Sequence, residues 1–358
     1  MWVTSSTSTA KTPTAIALGN FDGVHLGHQQ VIEPILQRSD RQPQDLAVGD
    51  LALNPATATV RGYSHLLSEF ANHENSVSAT ASAPPSRPPH ATVLTFFPHP
   101  REFFSRQSRP LLTPLDEKAL QLKRMGVEQL ILLPFNHQLA ELSPEAFVED
   151  VLLQQLQAQQ ISVGVDFRFG RQRAGTAEKL RAIAARQGVP VEIVSLKKLA
   201  GERISSSSIR QALLAGDLFR VRKLLGRPYT LTGRVVTGQK LGRTIGFPTA
   251  NLKLPADKFL PRQGVYAVRV YLRGHDLATR PLLGVMNLGC RPTVDGQQQT
   301  IEVHILEWSG DLYEQNLTVS LEDFLRPEQK FDALDSLKEQ IQADCQAALT
   351  VLSNRDRR

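Results

Sequence analysis

The sequence predicts an α/β fold, in which an N-terminal doubly wound, Rossmann-like domain is followed by a small antiparallel β-barrel domain with a C-terminal helix. First, strand-like apolar runs alternate with helical patterns from Thr14 onward, which is typical of a parallel sheet covered by helices on both faces. Second, the rhythm changes after Gly226-Arg227-Pro228, where strand-like runs follow one another with only turn residues between them. A chain of 358 residues is long enough for two such domains.

The first domain is predicted to span residues 14–225. Ser143 followed by Pro144 indicates a helix start, because serine accepts hydrogen bonds from the free amides there and proline tolerates the first turn. In a sheet of this kind, ligands bind beyond the carboxyl ends of the strands. The strands are expected at 14–19, 91–97, 129–135, 161–166 and 190–195, and the helices at 27–38, 116–125, 146–157, 177–187 and 209–215.

The second domain is predicted to span residues 226–354. Because no helices separate its strands, they are expected to pair in antiparallel fashion as a small barrel or sandwich. The strands are expected at 229–237, 264–273, 281–288, 300–307 and 317–323, and one helix at 332–352 follows them.

Two segments fall outside this pattern. Residues 1–13 are rich in Ser and Thr and lack the apolar core of a signal peptide, so they are expected to form a flexible N-terminus, with the first strand beginning near Thr14. Residues 39–90 are of low complexity and end in a proline-rich run at 82–89. They are interpreted as a mobile insertion, and a tolerated surface insertion is favoured over a regulatory segment.

The composition excludes several classes of protein. Hydrophobic residues make up 41% of the chain and charged residues 21%, which excludes a wholly disordered protein. No apolar run approaches the length of a membrane-spanning helix. The two cysteines, Cys290 and Cys345, exclude a disulfide scaffold and fit a reducing compartment, so a cytoplasmic protein is expected.

The charge balance bears on the partners. The 41 Lys and Arg residues against 35 Asp and Glu residues give a net charge of +6, which is compatible with nucleic acid or with substrates that carry phosphates. The basic residues are dispersed, so a mildly basic surface is favoured over polynucleotide binding. The expected partners are small molecules, with no nucleic acid and no membrane, and the chain is expected to be a monomer or a transient homo-oligomer.

A glycine-rich turn with two histidines joins the first predicted strand to the first helix. His25 and His28 are three residues apart, so both rings can face one phosphate chain and stabilise charge on its oxygens as hydrogen-bond donors. The start of a helix also attracts phosphate. Two histidines at one such corner favour a catalytic role over simple capping. The candidate nucleotide-binding residues of the turn are Gly19, Phe21, Asp22 and Gly27.

A second anion site is predicted where the helix at 209–215 begins. Serine hydroxyls and free backbone amides lie there with an arginine one turn further on. The cluster alone is a weak signal, because serines are common helix caps. Together with the two histidines it would complete a clamp for a triphosphate, with Arg210 as a catalytic group and four nucleotide-binding serines: Ser205, Ser206, Ser207 and Ser208.

These motifs carry a family resemblance. HLGH at 25–28 with SSSSIR at 205–210 resembles the nucleotidyltransferase superfamily that includes class I tRNA synthetases. Residues 19–28 together with TFFPHP at 95–100 and GVDFRFG at 164–170 resemble the bacterial FAD synthetase module. The resemblance implies transfer of AMP from ATP to FMN. It also implies a set of flavin-binding residues: Phe97, Pro98, His99, Pro100, Asp166 and Phe167.

A strand and a glycine-rich basic loop open the second candidate site. Gly238 and Gly242 permit close approach of the backbone to a nucleotide and Lys240 supplies charge, although the loop lacks the ending of a Walker A motif. Thr249 and Asn251 are two residues apart, so in an extended segment their oxygens point to one side. A hydroxyl and an amide are suitable ligands for Mg²⁺ bound together with phosphates.

The region from residue 233 to about 337 resembles riboflavin kinase. The resemblance is carried by GRVVTGQKLGRTIGFPTANL at 233–252, NLGCRPT at 287–293 and LRPEQKF at 325–331. It implies that Thr249 and Asn251 bind Mg-ATP, that Glu302 takes the proton from the riboflavin 5′-hydroxyl, and that Arg326 contacts the flavin. On its predicted strand Glu302 shares a face with His304, which is expected to be structural.

Two departures from the family pattern are visible. Glu314 stands where the family tends to have a glycine after Asp-Leu-Tyr, and it is expected to alter a turn. The insertion at 39–90 is the larger departure, but it leaves the flanking motifs complete.

The sequence thus predicts a bifunctional enzyme of flavin cofactor synthesis that uses ATP and Mg²⁺. The barrel would phosphorylate riboflavin to FMN, and the N-terminal module would join AMP from a second ATP to FMN, giving FAD and pyrophosphate. One alternative is a nucleotidyltransferase for another phosphorylated substrate, which leaves Thr249, Asn251 and Glu302 without a role. The other is a catalytically silent flavin-binding regulator, which predicts damaged motifs, whereas every proposed catalytic group is present.

Overall fold

In the computed structural model, the described residues are 1–36, 52–53, 88–195, 198–199, 201–238, 241–272, 281–293 and 296–356. The chain divides into two compact units, one formed by Met1–Arg109 and Leu115–Ile204, the other by Pro110–Pro114 and Ser205–Arg358. Residues 205–225, which the sequence analysis assigned to the first domain, group here with the second unit. Most of the predicted insertion, residues 39–51 and 54–87, lies outside the described residues.

A seven-stranded sheet forms the centre of the first unit. In chain order, the strands described in this unit are β1 Trp2–Thr4, β2 Thr14–Leu18, β3 Ala52–Leu53, β4 His90–Phe97, β5 Gln129–Pro134, β6 Ala158–Gly164, β7 Arg168–Phe169, β8 Gly175–Thr176, β9 Val191–Val194, β10 Lys198–Leu199 and β11 Glu202–Arg203. The sheet has the order β3-β1-β5-β4-β2-β6-β9, and all its pairings are parallel. The pairs β7-β8 and β10-β11 form two small antiparallel ribbons.

Helices cover both faces of this sheet, as predicted. In the first unit they are α1 Leu26–Leu36, α2 Pro100–Ser105, α3 Leu115–Arg124, α4 His137–Glu141, α5 Pro144–Ala146, which continues as a π-helix over Phe147–Gln155, and α6 Ala177–Ala185. Ser143 caps α5 by accepting a hydrogen bond from the Ala146 amide at 3.1 Å, as expected. The helix predicted at 146–157 is therefore π-helical over most of its length.

The central strand β2 divides its side chains between two hydrophobic cores. Ala15 and Ala17 pack with apolar residues of α1 and α3 on one face. Ile16 and Leu18 pack with the π-helical segment and α6 on the other face. A strand buried on both faces has no polar side to present to water, which explains why its sequence is a continuous apolar run.

The N-terminus differs from the expectation that the first strand begins near Thr14. Trp2–Thr4 forms β1, which pairs with β5 on one side and with Ala52–Leu53 on the other. Val3 is fully buried in the core beside α1. The short aromatic and β-branched run Trp-Val-Thr favours a strand, but the Ser/Thr-rich residues that follow it hide this signal.

The strand order reverses at β2, and this reversal positions the first candidate site. From β2 the chain proceeds to β4 and β5 on one side and then to β6 and β9 on the other. The loops that follow β4, β2 and β6 therefore leave the same edge of the sheet next to one another. In parallel α/β sheets, ligands bind at such a switch point, beyond the carboxyl ends of the strands.

A closed six-stranded barrel forms the second unit. Its order is β12-β13-β16-β15-β14-β17, with β12 Tyr229–Val236, β13 Ala250–Lys253, β14 Gly264–Leu272, β15 Leu282–Thr293, β16 Gly296–Ile305 and β17 Asn316–Arg326. All its pairings are antiparallel. The sequence analysis did not predict β13, because a four-residue strand beside a glycine-rich loop carries too few positions for a clear alternation.

Helices flank the barrel. The helices described in this unit are α7 Ser206–Ala215, α8 Leu218–Leu225, α9 Leu241–Thr244 and α10 Leu334–Asp356. Ala348 and Leu352 of α10 pack against Val265, Ala267 and Val285 on the outer face of β14 and β15. The predicted C-terminal helix therefore seals one side of the barrel.

A buried carboxylate connects these helices to the barrel. Glu322 of β17 is only 2% exposed and contacts Arg222 of α8 at 3.1 Å and Arg355 of α10 at 3.0 Å. Arg269 of β14 lies 3.9 Å away, and the Ser320 hydroxyl donates to the same carboxylate at 2.9 Å. Because three cations surround one buried anion, its removal would take away the counter-charge that they share.

We expect Glu322→Ala to lower the free energy of unfolding by about 3 kcal/mol, since breaking a buried ion pair has a cost of this size. Denaturant unfolding followed by circular dichroism measures the change. The control is Asp335→Ala in α10, whose carboxylate is 92% exposed and pairs with Lys338 at 3.7 Å. This control should lower the free energy of unfolding by less than about 1 kcal/mol. Equal costs for the two variants would contradict the structural role of Glu322.

The structure explains why Glu314 is an unusual residue at its position. Its backbone has a φ of 68°, in the left-handed region that glycine adopts without strain. The turn is held there because the Glu314 amide donates to the Val235 carbonyl at 3.0 Å. The Glu314 side chain forms an exposed ion pair with Arg234. The glutamate therefore keeps a turn conformation that favours glycine.

We expect Glu314→Gly to raise the free energy of unfolding by up to about 1 kcal/mol, because relief of left-handed strain outweighs the entropy that glycine gains in the unfolded chain. The same denaturation assay measures it. Glu339→Gly, at an exposed position inside α10, should lower stability by about 1 kcal/mol. Opposite signs at the two positions are the expected result, and a loss of stability at both would contradict it.

Candidate active sites

The carboxyl edge of the sheet brings together three segments that the sequence analysis singled out. The histidine turn follows β2, the Pro98–Pro100 turn follows β4, and Asp166 with Phe167 follows β6. These strands are direct neighbours in the sheet. Segments as far apart in sequence as residues 20 and 167 thus share one edge.

The two histidine rings of the turn lie against each other. The rings of His25 and His28 are stacked, with centroids 3.5 Å apart and planes 13° apart. The His28 amide approaches His25 Nδ1 at 3.2 Å as a donor. His25 Nδ1 is thus an acceptor, so the neutral ring carries its proton on Nε2. A Cβ on Gly27 would come within 3.3 Å of the His25 ring, so a glycine here leaves room for the stack.

His28 is held in its neutral form. Burial lowers its pKa well below the ordinary value of 6.5, and the neighbouring His25 and Lys118 lower the pKa further. Its Nδ1 atom is buried and has no hydrogen-bond partner among the described residues. A buried polar atom of this kind is costly unless something binds it. The unsatisfied atom marks His28 as a candidate functional residue.

The backbone of the turn is shaped around buried anchors. Phe21 and Val24 have positive φ angles of 50° and 41°, and both side chains are fully buried. The Phe21 ring meets the edge of His28 with centroids 5.3 Å apart. A Cβ on Gly19 would lie 3.1 Å from the Phe21 ring. Phe21 thus supports the histidine ring from within the core, and Asp22 beside it is also buried.

The turn after β4 begins a short helix. His99 caps α2, since its Nδ1 accepts from the Arg101 amide at 3.0 Å while Glu102 accepts from the His99 amide at 3.4 Å. Burial lowers the pKa of His99, Glu102 raises it, and Arg109, Arg101 and Lys118 lower it further. Pro98 is exposed and Phe97 is partly buried in the core beside α1.

Helix α2 also carries aromatic residues that the sequence analysis missed. Phe104 is 69% exposed, and Phe103 and Phe104 both contact the Phe135 ring edge-on. An exposed aromatic cluster next to a predicted flavin turn suits a planar apolar ligand. The signal was present in the sequence as the Phe-Phe pair directly after Glu102, but such pairs are usually core.

The segment after β6 carries a half-exposed aspartate, Asp166, and a phenylalanine, Phe167, that packs on a buried ring. Asp166 is half-exposed and forms an ion pair with Arg203 of β11. The Phe167 ring stacks on Phe169, with centroids 5.7 Å apart, and Phe169 is buried. Arg203 was not singled out in the sequence, because an isolated arginine before a serine run gives no signal of its partner.

The serine cluster caps its helix as predicted. Ser205 accepts from the Ser208 amide at 3.1 Å, and the two hydroxyls lie 2.9 Å apart. Arg210 is largely buried, donates to the Pro110 carbonyl at 3.0 Å and lies over the Phe259 ring. All of these residues belong to the second unit. The clamp that they were expected to complete with the histidines stays a prediction.

In the barrel, strand register aligns three polar residues. Glu302 of β16 stands opposite Asn251 of β13 on one side and opposite Asn287 of β15 on the other. Paired residues in an antiparallel sheet project to the same face. The flanking residues Ile301 and Val303 are buried, which confirms that Glu302 lies on the face opposite the apolar side chains. Asn287 had been noted in a motif but had no predicted role.

The glycine-rich loop packs closely on the candidate metal ligands. A Cβ on Gly238 would overlap the Asn251 side-chain amide, and one on Gly242 would overlap the Phe247 carbonyl oxygen. Glycine at 238 therefore leaves room for Asn251, and glycine at 242 leaves room for the backbone two residues before Thr249. The Thr249 hydroxyl and Asn251 amide oxygens fit Mg²⁺, which prefers few protein ligands together with substrate phosphates. Lys240 lies outside the described residues.

His304 and Arg326 both make structural contacts. His304 Nδ1 lies 2.8 Å from the Pro248 carbonyl, next to Thr249, which agrees with its expected structural role. Arg326 forms a bidentate pair with the buried Asp344 of α10, at 2.8 Å through each of two nitrogens. The guanidinium thus attaches the C-terminal helix to β17, and the flavin contact expected of Arg326 stays a prediction.

Each unit thus has a candidate site for phosphate chemistry, which is the arrangement of a two-site transferase that uses nucleotides. The family model for riboflavin kinase matches residues 225–352, and the model for FAD synthetase matches residues 7–65 and 72–208. The chain belongs to the family of bifunctional riboflavin kinases and FMN adenylyltransferases.

Relatives with this name match nearly the whole chain. The enzyme of Pseudomonas fluorescens is 36% identical over 332 residues, which are 92% of this chain and 90% of that protein. The enzyme of Bacillus subtilis is 32% identical over 349 residues, covering 95% and 93% of the two chains. Both catalytic modules of these relatives are therefore represented here.

A solved structure also matches both units. It is described as a macrolide-efflux protein from Streptococcus pneumoniae, with 28% identity, a TM-score of 0.73, and coverage of 97% of this chain and 98% of that one. The description belongs to that protein. In the part of this chain that the structure describes, no helix has the length and apolar character needed to cross a bilayer.

The neutral state of His28 predicts a specific acid sensitivity. Because the folded pKa lies below the unfolded value of 6.5, the unfolded chain binds a proton that the folded chain rejects, and stability falls as the pH drops below 6.5. This loss is up to about 1.4 kcal/mol per pH unit. We expect His28→Gln to lose less stability between pH 7.5 and 5.5 than the wild type, measured by urea unfolding at each pH. Gln138→Ala, at an exposed position without a titratable group, should retain the wild-type slope, and an unchanged slope in His28→Gln would contradict the assignment.

Proposed function

We infer that this chain makes FAD from riboflavin in two steps, one at each candidate site. The observation that carries this inference is the presence of both sites in separate units: the stacked histidines at the carboxyl edge of the sheet, and Glu302 in register with Asn251 on the barrel. A nucleotidyltransferase for another phosphorylated substrate would leave Thr249, Asn251 and Glu302 of the barrel without a role. A catalytically silent flavin-binding regulator predicts damaged motifs, whereas the motifs here are intact.

In the barrel, riboflavin is phosphorylated to FMN. Glu302 accepts the proton of the 5′-hydroxyl, the hydroxyl oxygen forms a bond to the γ-phosphorus of ATP, and the bond to the ADP oxygen breaks. Thr249 and Asn251 would hold Mg²⁺, which neutralises charge on the phosphates when it is bound. The register with Asn251 supports this role for Glu302, because it places the base beside a ligand of the nucleotide.

At the sheet edge, FMN becomes FAD. A phosphate oxygen of FMN attacks the α-phosphorus of a second ATP, and pyrophosphate leaves with the electrons of the broken bond. The His25 Nε2–H group and the His28 ring stabilise charge on the phosphate oxygens. The nucleotide lies against residues of the turn, with the flavin beside Phe97–Pro100 and Asp166. The exposed ring of Phe104 supports a flavin position on this side.

We also propose the partners and the location of the chain. The chain acts on riboflavin, FMN and ATP as a monomer or transient homo-oligomer, without nucleic acid or membrane partners. Its cysteine usage supports a cytoplasmic location.

A chromatographic assay of flavins tests both steps at once. Wild-type protein with riboflavin, ATP and Mg²⁺ should convert riboflavin through FMN to FAD. His28→Ala should accumulate FMN, with the second step slowed about 10²- to 10³-fold by the loss of a charge-stabilising donor. Glu302→Gln should slow the first step about 10²- to 10⁴-fold by the loss of the base, yet convert supplied FMN to FAD at the wild-type rate.

Circular dichroism is the folding control for both variants, and the activity of the unaltered unit shows that the effect is confined to one site. Glu307→Gln, at an exposed position beyond the end of β16, should leave both steps unchanged. If the wild type bound flavin but converted none, the regulator would replace this proposal. If it made FMN but no FAD, the first unit would act on another acceptor.

A further inference from the structure

Lys118 of helix α3 is a buried lysine beside the histidine turn. It is only 8% exposed, although lysine is among the residues most rarely buried. It lies in the first turn of α3, where the helix dipole disfavours positive charge. Burial and helix position both oppose an ammonium group here, so the contacts of Lys118 matter for its placement.

The ammonium group of Lys118 contacts the histidine turn directly. Its Nζ donates to the carbonyl oxygen of Asn20 at 3.0 Å. The Thr95 hydroxyl of β4 donates to the same oxygen at 3.3 Å. Asn20 lies at the start of the turn, between Gly19 and Phe21. One backbone carbonyl therefore joins α3 and β4 to the loop that carries the two catalytic histidines.

The charge of Lys118 also affects two histidines, His28 of the histidine turn and His99 of the Pro98–Pro100 turn. Of the groups that face His28, His25 and Lys118 both act to lower its pKa. Of those that face His99, Glu102 raises the pKa, while Arg109, Arg101 and Lys118 lower it. Lys118 is thus near both the histidine turn and the Pro98–Pro100 turn. A cation at this position favours anionic ligands at both turns.

We propose that Lys118 is a positioning residue for the transfer of AMP: it fixes the histidine turn through the Asn20 carbonyl and adds the positive charge that draws the ATP phosphates to that turn. This inference rests on the function proposed above for the first unit. Lys118 thus acts indirectly, by fixing the histidine turn and by adding to the positive electrostatic potential at the site.

Three variants test the proposal in the full-length protein, with FMN and ATP as substrates. Lys118→Met removes the charge and the hydrogen bond at nearly constant volume, and it should raise the KM for ATP at least tenfold and lower kcat in FAD formation. Lys118→Arg retains a cation and should recover part of both parameters. Lys123→Met is the matched control, since Lys123 lies in the same helix and is equally buried. It should change both parameters less than threefold.

The riboflavin kinase activity should stay within twofold of wild type in all three variants, because Lys118 and Lys123 lie in the other unit. NMR titration of the His28 ring supplies a readout besides activity. The His28 pKa should rise in Lys118→Met, where a repelling cation is lost, and remain as in wild type in Lys123→Met. Should Lys118→Met lose its folded circular dichroism spectrum, Lys118→Gln, which keeps a donor but no charge, must still show the raised KM for ATP.

The outcomes separate this proposal from the proposed function. Wild-type protein that makes no FAD from FMN overturns the function and, with it, the role of Lys118 in that reaction. Active wild type, together with Lys118→Met that matches Lys123→Met in KM, kcat and the His28 titration, overturns the positioning role alone. A loss of FAD formation in Lys123→Met equal to that in Lys118→Met also overturns it, because the effect would then come from the helix as a whole.

Discussion

The first unit depends on one constraint of parallel sheets: all carboxyl ends must leave at the same edge. Because β2 lies between β4 and β6, the loops after these three strands become neighbours whatever their distance in sequence. Hydrophobic cores on both faces of β2 keep this strand in place. The stacked histidines, the Pro98–Pro100 turn and Asp166 meet at this edge as a consequence of topology, before any contact between their side chains.

In the barrel, the register of the strands brings the candidate site residues together. Each antiparallel pairing sets which residues stand side by side, and a shift by one residue would turn Glu302 into the interior and Ile301 outward. The buried side chains of Ile301 and Val303 make such a shift costly. The hydrophobic interior therefore specifies the position of the candidate base relative to Asn251, although neither polar residue contributes to that interior.

Patterns local in sequence could be predicted, and partners distant in sequence could not. The alternation of strands and helices, the Ser143 cap and the face shared by Glu302 and His304 follow from spacing alone, and the structure contains all three. Lys118 could not be found, since a lysine on a helix is normally solvated and its carbonyl partner lies 98 residues away. For the same reason, the sequence does not show that the Arg326 guanidinium is hydrogen-bonded to Asp344.

The stacked histidines indicate how the site meets a highly charged nucleotide. Two imidazolium rings at 3.5 Å would repel each other strongly, so at least one ring must be neutral in the free protein. His28 is neutral, with its pKa held down first by burial and then by His25 and Lys118. The rings then act as oriented donors rather than as charges, and the lysine bound to Asn20 supplies the positive charge. Donors fixed by the fold need no reorganisation when negative charge develops on the phosphate oxygens, which is the condition for effective electrostatic catalysis.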